Sequence, residues 1–280
     1  MPLAGGRSLA LGERTLVMAV INITPDSFAE TTPSTDPARA LDKALEAEAA
    51  GADLLDLGAE STRPGSAAVD AREERERLLP ALRSIVATVR VPVSVDTRKA
   101  EVARAALDEG AALVNDISGL GYDAALGRVV AAAGAGLVLM HMRGTPADMY
   151  GQAIYGDVAA DVATELAAGI RRALDAGVPR DAIVLDPGIG FAKRAEHSYE
   201  MLARLGELAQ LRRPLLVGTS RKSFLQVAIG ETPPPRRDWA TAASVAAAVL
   251  SGAHIVRVHA VREMLQVVRV ADEIMRHGRE

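Results

Sequence analysis

Eight short apolar runs recur along the chain, at residues 16–21, 53–57, 91–95, 112–114, 136–140, 183–185, 214–217 and 254–258. Most are near-continuous Val, Leu and Ile rather than alternating, the pattern of strands buried on both faces of a parallel sheet. Between them lie Ala-rich stretches with helical spacing, at 37–50, 73–89, 100–109, 123–133, 155–176, 198–209, 239–251 and 262–276. Gly51, Gly110, Gly177 and Gly252 each follow such a stretch, where a left-handed helix C-cap favours glycine. Strand, helix and strand repeated to a count of eight predicts an α/β fold, a single (β/α)8 TIM barrel with its active site at the C-terminal ends of the strands. A doubly wound open sheet is the competing architecture. No linker, repeat or low-complexity tract divides the chain, and 233–235 reads as a rigid proline loop, so residues 1–280 read as one domain.

Polar residues follow the apolar runs in a consistent way. The runs lead into Asn22; Glu60 to Gly65; Asp96-Thr97-Arg98-Lys99; Asn115-Asp116; His141; Asp186-Pro187-Gly188; and Ser220-Arg221-Lys222-Ser223, while the last contains Arg257 and leads into His259. Each has a plain structural alternative. Asp96 or Asn115 could cap the next helix, Asp186 could fix a turn, Arg257 could form an internal ion pair, and His141 could serve either the site or the scaffold. His254, which opens its run, reads as structural. Convergence argues for function, because in a barrel all eight strand ends meet at one mouth.

Composition narrows the classes. The chain of 280 residues fits one complete barrel, and 49% hydrophobic with 24% charged residues is an ordinary globular balance. A net charge of −4 with scattered Arg argues against nucleic acid, so an anionic ligand needs locally placed cations. The absence of cysteine excludes disulfides, thiolate chemistry and Cys-bound zinc. No apolar run reaches membrane-spanning length and no leader pattern is evident, so a cytoplasmic location is expected.

The motifs themselves carry a resemblance. Asn22-Ile23-Thr24-Pro25-Asp26-Ser27-Phe28 and Gly58-Ala59-Glu60-Ser61-Thr62-Arg63-Pro64-Gly65 resemble the two signatures of dihydropteroate synthases. Ser94 to Thr97, Asn115 to Gly119, Met140 to Gly144, Asp186 to Phe191, Gly218 to Ser223 and Arg257-Val258-His259 match the remainder in order. The resemblance runs from about Thr15 to the C-terminus. Ala29 to Thr32 depart from the family's usual turn, Ala59 and Ala192 replace frequent glycines, and Ala260 stands where Asp is usual.

The resemblance implies condensation of a dihydropterin pyrophosphate with 4-aminobenzoate. Asp186 is the candidate for the paired N–H donors on the pterin edge. Asn115 offers both donor and acceptor, Asp96 takes another ring N–H, and Lys222 donates to the ring carbonyl or N5. Ile117, Met140 and Arg257 complete the pterin pocket, Arg257 by stacking. Asn22, Thr62, Arg63, Arg257 and His259 are the pyrophosphate candidates, with Asn22 a single ligand to a Mg2+ that arrives with the substrate. Thr62, Arg63, Pro64, Phe191, Lys222 and Ser223 form the expected aminobenzoate pocket, and Asp26, Ser27 and Phe28 a loop lid. Arg63, Lys222, Arg257 and His259 are the expected catalytic groups, acting on an SN1-like departure of the diphosphate. The family also implies a homodimer. Two other readings are a pterin-binding domain of the corrinoid methyltransferase type and a non-catalytic pterin-binding paralogue.

Overall fold

The structure is a computed structural model that describes residues 1–24, 36–62, 65, 66 and 68–278. Eight parallel strands alternate with helices: β1 Leu16–Asn22, α1 Pro37–Ala49, β2 Leu54–Gly58, α2 Ala71–Thr88, β3 Val93–Asp96, α3 Ala100–Asp108, β4 Leu113–Asp116, α4 Leu126–Ala132, β5 Gly136–Met140, α5 Val158–Asp175, β6 Ile183–Asp186, α6 Ala195–Ala203, β7 Leu216–Val217, the short α7 Gln226–Ile229, α8 Asp238–Leu250, β8 Ile255–Val258 and α9 Val261–His277. The strand order β6-β5-β4-β3-β2-β1-β8-β7 is closed by a parallel bridge between Leu185 and Leu215. The expected TIM barrel is therefore the observed fold. No described helix is long and apolar enough to cross a membrane.

Local chemistry accounts for the element ends. Asp36, Asp70 and Asp157 cap α1, α2 and α5 by accepting from the backbone N–H of Ala38, Glu73 and Ala160. Gly51, Gly110, Gly177 and Gly252 all have φ between +91° and +102°, the left-handed turn that ends a helix and releases the chain into the next strand. Two expected elements differ. The helix read at 198–209 breaks into α6 and a 3-10 segment, Leu205–Leu211. After β7 the chain first makes a 3-10 turn, Ser223–Leu225, and the one-turn α7 before the expected α8.

Strand alternation sends one set of side chains outward and the other into the barrel. The outward set, including Val17, Leu55, Val95, Val114, Leu139, Leu185 and Val256, packs under the helices in the main core. The inward set forms a second cluster with Leu16, Met18, Leu54, Leu113, Val138, Val184, Leu216 and Ile255. Leu3 and Leu9 join this cluster from the N-terminal segment, where Pro2 and Ser8 form an antiparallel bridge. That segment seals the bottom of the barrel and leaves the opposite end for polar groups.

Candidate active site

The inward residues two positions farther along five strands are polar. Leu54 is followed by Asp56, Ser94 by Asp96, Leu113 by Asn115, Val184 by Asp186 and Ile255 by Arg257, each pair sharing a face by the period of two. Register places Asp96 beside Asn115, and Met140 beside Asp186. Gly58 and Gly218 lie against the site, where a Cβ would stand at ordinary contact distance from Asp96 (3.5 Å) and Arg257 (3.7 Å) respectively.

A buried ionic cluster occupies this level. Arg257 donates from Nε to Asp56 at 2.7 Å and from Nη2 to Asp96 at 3.2 Å. Asn115 donates from Nδ2 to Asp56 at 3.0 Å. Because a carboxylate only accepts, that bond fixes the Asn115 amide and turns its buried Oδ1, which has no hydrogen-bond partner, into an acceptor awaiting a donor. The structure thus narrows the expectation that Asn115 offers both donor and acceptor: the donor is committed to Asp56. Asp56 was missed by the sequence reading. Its signal was a carboxylate inside a run otherwise fit for burial on both faces.

Asp186 and Lys222 face one another electrostatically across the same space. The Asp186 carboxyl accepts from the Gly188 N–H at 2.7 Å, so it fixes a turn as well as lining the cavity. Burial raises its pKa while Lys222 opposes the rise. Burial lowers Lys222 to about 8 against the pull of Asp186. The Lys222 ammonium bonds Ile189 O and stands 4.5 Å from the Phe191 ring centre. Asp96 is pushed up to about 8, first by burial and then by Asp56, with Arg257 opposing. These shifts describe one closely coupled group of charges held out of water.

At the rim, Ser220 Oγ accepts from the His259 backbone N–H at 3.2 Å and lies 2.9 Å from His259 Nδ1. If the hydroxyl proton goes to Nδ1, Nε2 carries the imidazole hydrogen and acts as a donor. Asn22 ends β1 opposite Gly58 and is exposed. Thr62 is half-buried, and Ile117 and Met140 are buried. Ser223 is exposed at the start of a single 3-10 turn, not at a long helix. Asp26, Ser27, Phe28, Arg63 and Pro64 lie outside the described residues.

Other strand-end residues serve the scaffold. Lys99 bonds Glu60 at 2.6 Å and also Glu74, while Glu60 takes Arg98 at 3.3 Å and the Val69 N–H at 3.2 Å. Asp116 binds the N–H groups of Ser118 and Leu120 and closes a turn. His254 accepts from Leu215 N–H, as its structural reading expected. His141 resolves to the scaffold side: it is buried between Lys193 and Glu165, and burial lowers it to about 4. Ala192, in place of the family's frequent glycine, has φ +47°, a conformation that costs an L-residue more than glycine.

Residues 18–259 match the family model described as pterin binding enzyme. The chain is 42% identical over 276 residues to the dihydropteroate synthase of Synechocystis sp., covering 98% of this chain and 96% of that one. The fold is similar to the Yersinia pestis dihydropteroate synthase solved with a sulfonamide drug, with TM-score 0.92, 38% identity and 98% coverage of both chains. It is also similar to the Thermus thermophilus enzyme solved with 4-aminobenzoate, with TM-score 0.84, 43% identity and coverage of 94% and 95%.

Proposed function

The chain belongs to the dihydropteroate synthase family of pterin-binding enzymes, and on that premise we propose how its barrel carries out the family reaction. The protein is a transferase of folate biosynthesis. It joins 6-hydroxymethyl-7,8-dihydropterin pyrophosphate to 4-aminobenzoate and releases 7,8-dihydropteroate and pyrophosphate. The observation that carries the assignment of roles is the convergence of Asp56, Asp96, Asn115 and Arg257 in one bonded cluster, with Asp186 and Lys222 electrostatically joined to it.

In this reading the pterin lies over the apolar floor with its donor-rich edge against Asp186 and its remaining N–H groups toward Asp96 and the Asn115 oxygen. Lys222 donates to the ring. Ile117 and Met140 supply apolar contact. The orphaned Asn115 Oδ1 supports this placement, since a buried acceptor without a donor costs about 1–3 kcal/mol until a ligand pairs it.

The bond that breaks joins the exocyclic methylene to the diphosphate oxygen, which leaves with the electron pair. Positive charge on the methylene delocalises into the pterin, the aniline nitrogen of 4-aminobenzoate then attacks, and that nitrogen sheds its proton. Departure before attack is SN1-like, so the protein's task is to hold the leaving group and keep water from the cation. Thr62, Arg63, Arg257 and His259 are assigned to the diphosphate. The N-terminus of α9 adds backbone donors; its cap residue, Ala260, has no side-chain acceptor to compete for them. Thr62, Arg63, Pro64, Phe191, Lys222 and Ser223 are assigned to aminobenzoate, and Asp26, Ser27 and Phe28 to the loop above it.

Among the described residues no group of three or more His, Asp or Glu is placed to hold a metal. The donor set therefore fits a Mg2+ that comes with the diphosphate and takes one oxygen from Asn22, rather than a resident ion. When bound, Mg2+ would neutralise charge on the leaving group. The working state is assigned as a homodimer, consistent with exposed apolar residues Leu250, Val270 and Ile274 on the adjoining α8 and α9; sedimentation will test it.

The deciding assay mixes the protein with the dihydropterin pyrophosphate, 4-aminobenzoate and Mg2+. Pyrophosphate and dihydropteroate are expected in equal amounts, with a sulfonamide competing against aminobenzoate. Binding of the pterin without pyrophosphate release would reduce the protein to a binding paralogue.

A further inference from the structure

The loop after β6 is gripped from two sides, and one grip is a cation that the reaction itself leaves unused. Lys193 is 1% exposed, the largest of the fully buried side chains. Its Nζ lies 2.8 Å from His141 Nδ1, 3.2 Å from Gly188 O and 3.2 Å from Phe191 O. Among the described residues no carboxylate bonds it directly. The acid nearest in the chain of contacts, Glu165, is reached through the imidazole, at 3.0 Å from His141 Nε2.

The stoichiometry selects an ammonium. Glu165 also takes Arg143 Nε at 2.9 Å, so it is an acceptor toward His141 and places the imidazole hydrogen on Nε2. Nδ1 is then an acceptor, and Lys193 faces three acceptors with three N–H groups. A neutral amine would have only two.

These bonds decide where the loop sits. Gly188 O also accepts from Phe191 N–H at 3.0 Å, closing a turn whose glycines have φ +67° at Gly188 and +80° at Gly190. Ala192 O takes the Tyr155 hydroxyl at 2.9 Å. Lys193 and Tyr155 thus hold three carbonyls of the loop, while Ile189 O takes Lys222 and the Phe191 ring lies beside that same ammonium.

We propose that Lys193 is a positioning residue for the transfer reaction: by gripping the carbonyls of Gly188 and Phe191 it fixes the surface on which Lys222 and the aminobenzoate ring rest. This inference rests on the assignment of Lys222 and Phe191 to the substrate site made above. The grip is weakest toward alkaline pH, because burial lowers Lys193 to about 7. The groups that face it are His141 at the end of β5, Arg143 and Tyr155 in the following segment, Glu165 on α5, Asp186 on β6 and Lys222 after β7, with His197 of α6 against the Tyr155 ring.

The test compares the parent with Lys193→Met, Tyr155→Phe and Lys222→Met. Met keeps the length of the side chain and removes the charge and donors; it leaves Gly188 O, Phe191 O and His141 Nδ1 without their ammonium, so a loss of stability accompanies the loss of the grip. Lys193→Met is expected to raise the KM for aminobenzoate about tenfold, with a smaller loss of pterin affinity by calorimetry, because Lys222 also donates to the pterin. Tyr155→Phe, which removes one neutral hydrogen bond, is expected to raise the same KM about threefold and provides the answer if Lys193→Met does not fold. The chain has only four lysines, Lys43, Lys99, Lys193 and Lys222. Lysine-selective NMR of Lys193→Met is therefore expected to show a displaced Lys222 resonance. An unchanged aminobenzoate KM in both loop variants, with Lys222→Met still impaired, would overturn the positioning role, as would an equal loss for both substrates. An unchanged KM in Lys222→Met as well would overturn the assignment of the site itself.

Discussion

The lower half of the barrel interior and the half just above it are built by the same strands and obey opposite rules. Leu54, Leu113, Val184 and Ile255 fill the lower level, and two residues later the same strands present Asp56, Asn115, Asp186 and Arg257. In the lower half, packing stabilises, and about 25 cal/mol is gained per Å2 of apolar surface removed from water. In the upper half, burial costs, and only mutual pairing keeps the charges tolerable. The difference teaches where the fold stores its selectivity: the floor is satisfied as it stands, whereas the mouth contains acceptors such as Asn115 Oδ1 that only a ligand completes.

The strongest test of this contrast is Arg257→Met, which leaves Asp56 and Asp96 buried around a missing cation. A loss of about 3–5 kcal/mol is expected in urea unfolding at pH 9. A loss no larger than that of an ordinary surface change would show that the mouth carries its charges as easily as the floor carries its methyl groups. Next, Asp186→Ala is expected to weaken pterin binding by about 2–5 kcal/mol, read by calorimetry. Affinity near that of the parent would remove Asp186 from the pterin edge.

Asp96→Asn sharpens the comparison through pH. Burial, then Asp56, push the folded carboxyl of Asp96 up to about 8, while an unfolded Asp titrates near 4. Between those values the native state keeps a proton that the unfolded chain has released. Stability of the parent therefore falls as pH rises through this window and levels off above the folded pKa. The Asn variant lacks this loss, so its advantage over the parent is expected to grow from pH 4 to 8 and then stay constant. Parallel stability curves would count against the raised carboxyl. The smallest effect belongs to the floor: Ile255→Val is expected to cost about 1 kcal/mol of stability with kcat and both KM values unaltered. A specific change in either KM would mean that the two levels are not separable.

Much of this arrangement was legible in the residue order. Apolar runs and the glycines that end the helices predict eight strands, and the polar residues after those runs place Asp96, Asn115, Asp186, Lys222 and Arg257 at one end of a barrel, where they are found. Asp56 was hidden because a single carboxylate within Leu-Leu-Asp-Leu changes neither the period nor the strand. Lys193 was hidden for another reason: a lysine in a glycine-containing loop ordinarily reaches solvent, and only packing reveals that this one does not.

Sequence alone determined the repeat, the end of the strands at which the polar residues gather, and the family, because these depend on local periodicity and on residue types in order. Tertiary structure decided which charge pairs with which. It joined Arg257 to Asp56 and Asp96 across gaps of 201 and 161 residues and set Lys193 against His141. Such pairings follow from closure of the barrel, which brings distant strand ends within hydrogen-bonding reach and excludes the water that would otherwise satisfy each group separately.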